Sequence, residues 1–374
     1  HRDLHSFPTR RSSDLLSPVK AEAAREVEVQ SRTELGRLTE YTPLAGSVVE
    51  REELEAVRFV DSFHELLPRV PGVSMSRNMR FTDGGKNYTE NRIDGMRARN
   101  TGTYGFVDQV NAGDIERIEF IRGPGSVLSG SNAIGGTINV ITRDPPAKRE
   151  FQVSGEAFED GGYRTGLSGG DRLSDSLGYF FNINQLDHDG WRDHSDQKKT
   201  SLSTKWVWRP DSSSKLALRY EYIDDDYQSA GSLDEAQFHD NWRQAEPGSY
   251  LRTAVKYSTP SLHYRKMFGD VGELNLYGQQ RHTDQTARSS GFTGGGSTLG
   301  DTESYETNIQ LMYKHNFSLA KTSLTGGFDY LDTASDSKKF NDLSPNSFHF
   351  SRGALTSHSK SYEKNKSPFL QVEF

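Results

Sequence analysis

Residues 114–143 read DIERIEFIRGPGSVLSGSNAIGGTINVITR, and this stretch decides the fold. Ile115, Ile118, Phe120 and Ile121 flank the charges Glu116, Arg117 and Glu119, which predicts a half-buried strand. Gly123-Pro124-Gly125 then breaks the strand, because proline fixes φ and lacks a donor while glycine takes positive φ freely. A second strand, Thr137 to Thr142, follows Gly135-Gly136 and is rich in β-branched residues. Two strands joined by a glycine-rich loop raise the question of a phosphate cradle. Gly125 and Gly130 have the P-loop spacing, but Ser131 and Asn132 stand where the lysine and its hydroxyl neighbour are required. A dinucleotide fingerprint fails too, since Leu128 takes the place of the third glycine after Gly123 and Gly125.

Upstream, the chain predicts an α+β module. Leu44 to Val49 is a short strand candidate. Leu54, Val57, Val60, Phe63, Leu66 and Leu67 recur at helical spacing through Glu52 to Leu67. Ser62 and Glu65 have capping-box spacing, and Pro68, Pro71 and Gly72 stop the helix. Glu53-Leu54, Leu66-Leu67, Pro71-Gly72-Val73, Ile93-Asp94-Gly95 and then 114–143 follow one another in an order that resembles the plug domain of TonB-dependent outer-membrane receptors. The resemblance covers almost all of residues 26–146, so residues 25–146 are assigned to a plug domain.

Beyond Pro145-Pro146 the texture changes to stretches of about ten residues in which apolar and polar residues alternate. Leu216, Leu218, Tyr220 and Tyr222 share one face, and Lys215, Ala217, Arg219 and Glu221 the other. The same alternation runs through Leu177, Tyr179, Phe181 and Ile183, through Leu202, Thr204, Trp206 and Trp208, and through Ile309, Leu311, Tyr313 and Phe317. A soluble sandwich gives this pattern as well. The connections separate the two. Short joins at Asp171–Ser176, Pro210–Ser214, Gly269–Gly272 and Ser318–Lys321 alternate with longer ones at Asp187–Gln197, Tyr227–Ser249, Ala287–Gly300 and Ser335–His358. Only the first outer join, Asp160 to Gly162, is short. That parity fits a membrane meander with short periplasmic turns and long outer loops. Trp206, Trp208 and Tyr222 suit the aromatic girdles, or alternatively a sandwich core or rim.

The fold class is therefore an α+β plug domain followed by an antiparallel up-and-down transmembrane β-barrel, truncated before closure. About ten strands over residues 147–374 are too few to enclose a plug, since plugged transporters have 22. Phe369, Leu370, Val372 and Phe374 still read as a strand, so the expectation is an open edge and a polypeptide that, alone, forms no competent transporter.

Composition agrees with this class. The chain has 374 residues, no cysteine and a net charge of -7, which argues against a sequence-independent grip on nucleic acid. Mean hydropathy is -0.77, and no run approaches the 18 apolar residues of a membrane helix. A β-barrel remains compatible, because only alternate side chains meet lipid. Residues 1–14 differ from the rest and resemble translated adapter DNA. Residues 15–24 end in Ala21-x-Ala23, which reads either as a signal-peptide remnant or as an ordinary polar amino terminus.

The resemblance implies a receptor of the bacterial outer membrane for iron uptake, binding a ferric siderophore, or else cobalamin or haem, at its outer face. It implies no cofactor. The partners are TonB, pairing with an amino-terminal box by strand addition, and outer-membrane lipid. The candidate box is Glu26, Val27, Glu28, Val29, Gln30 and Ser31, which departs from the family pattern at several positions; the bland reading is a polar lead-in. Ligand contact is expected from Arg77, Arg80, Lys86, Asn87 and Tyr88 in one plug loop and from Arg97, Arg99, Tyr104 and Phe106 in another, where cations beside aromatics suit an anionic chelate. Each of these also reads as an ordinary solvated loop residue. Arg80 and Arg122 stand where the family places plug arginines that pair with barrel carboxylates.

Asp187, Asp189 and Asp193, with His188 and His194, and the run Asp224, Asp225 and Asp226 offer metal ligands in outer loops. Neither run matches the calcium-loop pattern, and solvated loop charge is the plainer reading. The cluster gains weight with a cobalamin ligand, because receptors of that branch order their loops with calcium. No nucleophile elbow, zinc-hydrolase helix or paired cysteine motif appears, so no enzyme is expected. From another class stands a secreted all-β module that binds or cleaves polysaccharide on Trp191, Trp206, Trp208 and Trp242. A general-diffusion porin accounts for the strands but leaves residues 1–146 unexplained.

Overall fold

The computed structural model describes residues 46–51, 53, 73–75, 79–81, 89–98, 110, 112–122, 136–248, 250–289, 297–317, 322–345 and 347–373. The first sheet contains β1 (Gly46–Glu50), β4 (Thr89–Ile93), β5 (Met96–Arg97), β6 (Ile115–Arg122) and β7 (Gly136–Thr142), in the order β1-β6-β7-β4-β5. β2 (Val73–Met75) and β3 (Met79–Phe81) form a separate pair. β4 runs parallel to β7, and the other pairs are antiparallel. β4 and β5 are joined by the two-residue turn Asp94-Gly95, whose φ angles of 50° and 81° give the backbone twist a tight hairpin needs. Of the helix predicted through Glu52 to Leu67, only Glu53 is described, and it is helical; the other positions lie outside the described residues.

β6 departs from expectation. Predicted to be half-buried, it is covered on both faces: Arg117 is 2% and Glu119 0% exposed. The strand has a neighbour on each edge, and Arg117 and Glu119 find partners within the sheet. Arg117 Nε lies 3.3 Å from Glu119 Oε1, and Asn139 Nδ2 donates to Glu119 Oε2 at 3.0 Å. Asn139 Oδ1 accepts from Gly95 N at 3.0 Å, so the network ties β6 and β7 to the Asp94-Gly95 turn. Burying such charges is tolerable only with these partners.

The second sheet is an antiparallel meander of ten strands in sequence order: β8 (Glu150–Ala157), β9 (Gly162–Arg172), β10 (Leu177–His188), β11 (Gln197–Asp211), β12 (Ser214–Ser229), β13 (Leu251–Met267), β14 (Gly272–Ser289), β15 (Thr298–Phe317), β16 (Thr322–Asp342) and β17 (Arg352–Glu373). Short and long joins alternate as the sequence predicts. The later strands run further than hydropathy marks: β16 and β17 extend to Asp342 and from Arg352, well into the stretch read as a loop. At about 3.3 Å per residue, 22 residues span roughly 70 Å, far more than a bilayer, so the outer parts stand clear of lipid.

The meander is inside out relative to a soluble sheet. On β12, outward Leu218 is 46% exposed, whereas inward Arg219 and Glu221 are 8% and 2% exposed. Arg219 Nη2 donates to Glu221 Oε1 at 2.8 Å. Outward Ile183, Trp206, Trp208, Ile309, Leu311 and Tyr313 are likewise exposed, while inward Lys205, Lys215, Arg265 and Arg281 are buried. Tyr179 and Trp206 sit together on the outward face with ring centroids 5.3 Å apart. A soluble sandwich would bury the first set and solvate the second. Lipid on one side and a protein-filled lumen on the other reverse the burden. Among the described residues, no helix is long and apolar enough to cross a membrane.

Candidate functional site

The first sheet meets the inner wall of the second through a short tether, Arg143 to Arg149. Lys205, on the inward side of β11, carries the contact. Its Nζ donates to Thr142 O at 2.9 Å and Thr142 Oγ1 at 3.1 Å, and lies 3.1 Å from Asp144 Oδ1 and 3.8 Å from Asp94 Oδ1. Asp94 in turn accepts from Thr142 N at 2.8 Å and Thr142 Oγ1 at 2.6 Å. Asp144 also takes Lys215 Nζ of β12 at 2.5 Å and Arg209 Nη2 of β11 at 3.0 Å. Burial opposes ionisation of Asp144, but Lys205, Lys215 and Arg209 together hold its carboxyl well below the usual carboxylate range. A second contact joins Asp114, after a single 3-10 turn, to the wall: Asn182 Nδ2 donates to Asp114 Oδ1 at 2.8 Å.

The hairpin of β4 and β5 faces a cavity of about 480 Å³, lined on the wall side by Asn308, Gln310 and Asp329 and on the plug side by Arg92 and Arg97. Arg97 Nε lies 2.6 Å from Glu90 Oε1. Burial pushes the Glu90 carboxyl up despite the two neighbouring guanidinium groups. The sequence reading expects Arg80 and Arg122 to meet wall carboxylates. Their backbones lie in β3 and at the end of β6, and their side chains fall outside the description; Arg92, not singled out from sequence, shares this cavity with Asp329.

At the other end, long loops interlock. Arg192 donates through Nε and Nη2 to Gln244 O, at 3.1 and 2.8 Å, and through Nη1 to Gly231 O at 2.9 Å. It thereby fastens the β10–β11 loop to the β12–β13 loop, which holds the helix α1 (Glu235–Asp240), capped by Asp234. Arg252 donates to Phe348 O at 2.6 Å, and Arg288 to His349 O at 2.5 Å and to Ser347 O, so the β16–β17 loop is gripped as well. His194, Tyr250 and Phe348 pack together where these loops meet. Between the loops lies a cavity of about 730 Å³ lined by Asp160, Asp189, Asp193, Asp196, Glu246, Trp191 and Tyr250. Burial, and next the charge of Asp189, push the Asp196 carboxyl up. His188 Nε2, 3.1 Å from Asp160 Oδ1, holds the Asp160 carboxyl down.

The candidate metal ligands do not gather. Asp187, Asp224 and Asp226 pair with Lys198, Lys256 and Arg252, and Asp225 accepts from Gln197. Of these candidates, Asp189, Asp193 and His194 line the outer cavity. Among the described residues no three acidic or histidine side chains are placed to hold a metal ion. Trp206 and Trp208 face outward on β11, whereas Trp191 and Trp242 stack on each other in the outer loops at 5.6 Å. Arg77, Lys86, Asn87, Tyr88, Arg99, Tyr104, Phe106 and Glu26 to Ser31 lie outside the described residues. Sequence reasoning placed Lys215 on the inward face but missed its partner. The Asp144 contact joins residues some seventy positions apart, which no local pattern signals.

Comparison with known proteins agrees with this geometry. Residues 39–137 match the TonB-dependent Receptor Plug Domain. The chain is 30% identical over 219 residues to the vitamin B12 transporter BtuB of Photobacterium profundum, an alignment covering 54% of this chain and 32% of that protein. It is 26% identical over 209 residues to the ferrichrome outer membrane transporter/phage receptor of Escherichia coli (strain K12), covering 52% and 27%. The unliganded ferric citrate transporter FecA has the same fold, with a TM-score of 0.73 and 20% identity over 91% of this chain and 56% of that one. The chain thus spans about a third of the vitamin B12 transporter and about half of the ferric citrate transporter. With a plug sheet fastened to the inner wall of an inside-out meander, the chain carries the plug domain and has the fold of the TonB-dependent receptors of the bacterial outer membrane.

Proposed function

We propose that this chain is the plug and first barrel strands of a transporter that carries a scarce chelated nutrient, a ferric siderophore, inward across the outer membrane, driven through TonB. The observation that supports this is the plug strand β7 held against the wall by Lys205 and Asp144. A plug held in this way inside a complete barrel would close it to free diffusion, which favours an energised receptor over a porin. The buried charges inside the meander are taken up in structural pairing, which fits a receptor and not an enzyme. Ligand contact is assigned to Arg77, Arg80, Lys86, Asn87 and Tyr88 and to Arg97, Arg99, Tyr104 and Phe106, and TonB pairing to Glu26 to Ser31.

One observation favours a second ligand. The outer cavity is lined by five carboxylates against two arginines, of which Arg192 is committed to backbone carbonyls and Arg243 lies over the Trp242 ring, so acidic groups outnumber basic ones. Such a rim repels a highly anionic chelate and suits a neutral, bulky one such as cobalamin, which the name of the similar vitamin B12 transporter also suggests. The test is complementation with the complete reading frame in a strain lacking its own siderophore and cobalamin receptors. Labelled ferric siderophore should accumulate only when TonB is present. Accumulation of labelled cobalamin alone selects the second reading, and uptake that persists without TonB overturns both.

A further inference from the structure

We propose that the Lys205–Asp144 contact is the fixed point of the plug, so that β7 and the tether stay on the wall while strands nearer the amino terminus give way. The proposal rests on the reading that the plug is pulled from its amino-terminal side. It is carried by what converges on the contact. The ammonium of Lys205 meets oxygens from three separate segments: the end of β7, the tether and the Asp94 turn. Its side chain is 6% exposed, so these acceptors replace water instead of competing with it. Asp144 draws in two further wall cations, Lys215 and Arg209.

The tether is also fastened on both sides of Asp144. Arg143 Nη2 lies 2.5 Å from Glu150 Oε1, and its guanidinium sits 4.6 Å from the centroid of the Phe180 ring. Arg149 pairs with Asp171 at 2.6 Å. Pro145 and Pro146 sit against Gly178 and Gly170, where added Cβ atoms would stand 2.8 and 2.6 Å from the proline rings. Topology sets the contrast. Among the described residues, β1 is an edge strand with five paired residues and β6 as its one neighbour, whereas β7 is central, wholly buried and paired on both sides. Among the described strands, load arriving from the amino-terminal side therefore meets a single ladder first and two ladders plus a buried ionic knot last.

The test is single-molecule pulling from the amino terminus of the complete receptor in a lipid bilayer, which requires neither TonB nor ligand. In the wild type, the last stable stop before the barrel should place the anchored end at about residue 143. In Lys205→Met and in Asp144→Asn it should move to about residue 150, lengthening the released chain by roughly 25 Å at ~3.6 Å per residue. Lys205→Arg, which keeps the cation, should restore the wild-type stop. A wild-type stop already at the longer length, or one unmoved in both Lys205→Met and Asp144→Asn, overturns the proposal. A wild-type stop at residue 143 in a receptor that transports nothing would leave the anchor standing and sink the transport reading.

Discussion

Arg288 and Asp342 form an ion pair shut off from solvent: Arg288 Nε lies 2.7 Å from Asp342 Oδ2, and the side chains are 1% and 0% exposed. The pair stands at the outer ends of β14 and β16, above the lipid band, where Arg288 also grips backbone carbonyls of the loop that follows β16. A buried guanidinium with carboxylate and carbonyl partners holds the loop as well as the charge.

Replacing Arg288 by Ala leaves Asp342 buried without this partner, at a local cost of about 3–5 kcal/mol. Limited proteolysis should then cleave between Asp342 and Arg352 in the variant under conditions that leave the wild type intact. Lys should rescue poorly, because one ammonium cannot reproduce the planar fork. Equal protection in wild type and variant would mean that other contacts hold the loop.

Asp144 gives a pH-dependent expectation. Its carboxyl is held below its unfolded value of about 3.9, so its contribution is fully present above that pH and is lost only as pH falls through the lowered folded value. Protection of the tether from protease should therefore be unchanged from pH 8 to about pH 5. Asp144→Asn should lower local stability by on the order of 2 kcal/mol across that window, less than for a fully buried pair because the side chain is 29% exposed. The gap between the two proteins should close in strong acid. A gap that closed near pH 6 would assign the stability to another group.

The sequence made some of this legible and hid the rest for a physical reason. Alternation is local, so the faces of β12 could be read from eight residues, with Leu218 outward and Arg219 inward. The parity of the joins was equally readable, since turn residues mark each end. What covers a face is not local. Glu119 looked like a solvated charge because nothing in Ile115 to Arg122 announces that β1 and β7 will flank the strand, or that Asn139 will meet it. Asp144, beside two prolines, carries no local sign of its contacts, because its cations lie on β11 and β12. Arg80 and Arg122 were chosen from a resemblance, whereas Arg92 reached its cavity through a hairpin turn that sequence alone places less well.

Asp196 moves the other way. Its carboxyl is pushed up by burial and then by Asp189, so its charged form weakens the folded outer loops, and stability is gained as pH falls through the raised folded value. Asp196→Asn should therefore stabilise the loops near neutral pH, by at most about 1 kcal/mol because the group is partly solvated and screened. The β10–β11 loop of the variant should be cleaved more slowly than that of the wild type at pH 7 and at the same rate at pH 4. Faster cleavage of the variant at pH 7 would show that the carboxylate holds the loop.

Leu218 decides between lipid and water on the outward face. It is paired across the sheet with Trp206 on one side and Leu262 on the other, in the middle of the apolar band of β12. In a bilayer, Leu218→Arg places a guanidinium among acyl chains and should cost about 2–4 kcal/mol, read as a lower urea midpoint of the receptor folded into lipid vesicles. On a water-facing sheet the same change would stay within about 0.5 kcal/mol and raise solubility. Ala217, one residue away, points inward against buried groups, so the lipid effect should vanish at position 217, where Arg would instead overpack the wall. A Leu218→Arg protein as stable in vesicles as the wild type would remove lipid from the outward face and with it the membrane reading of the meander.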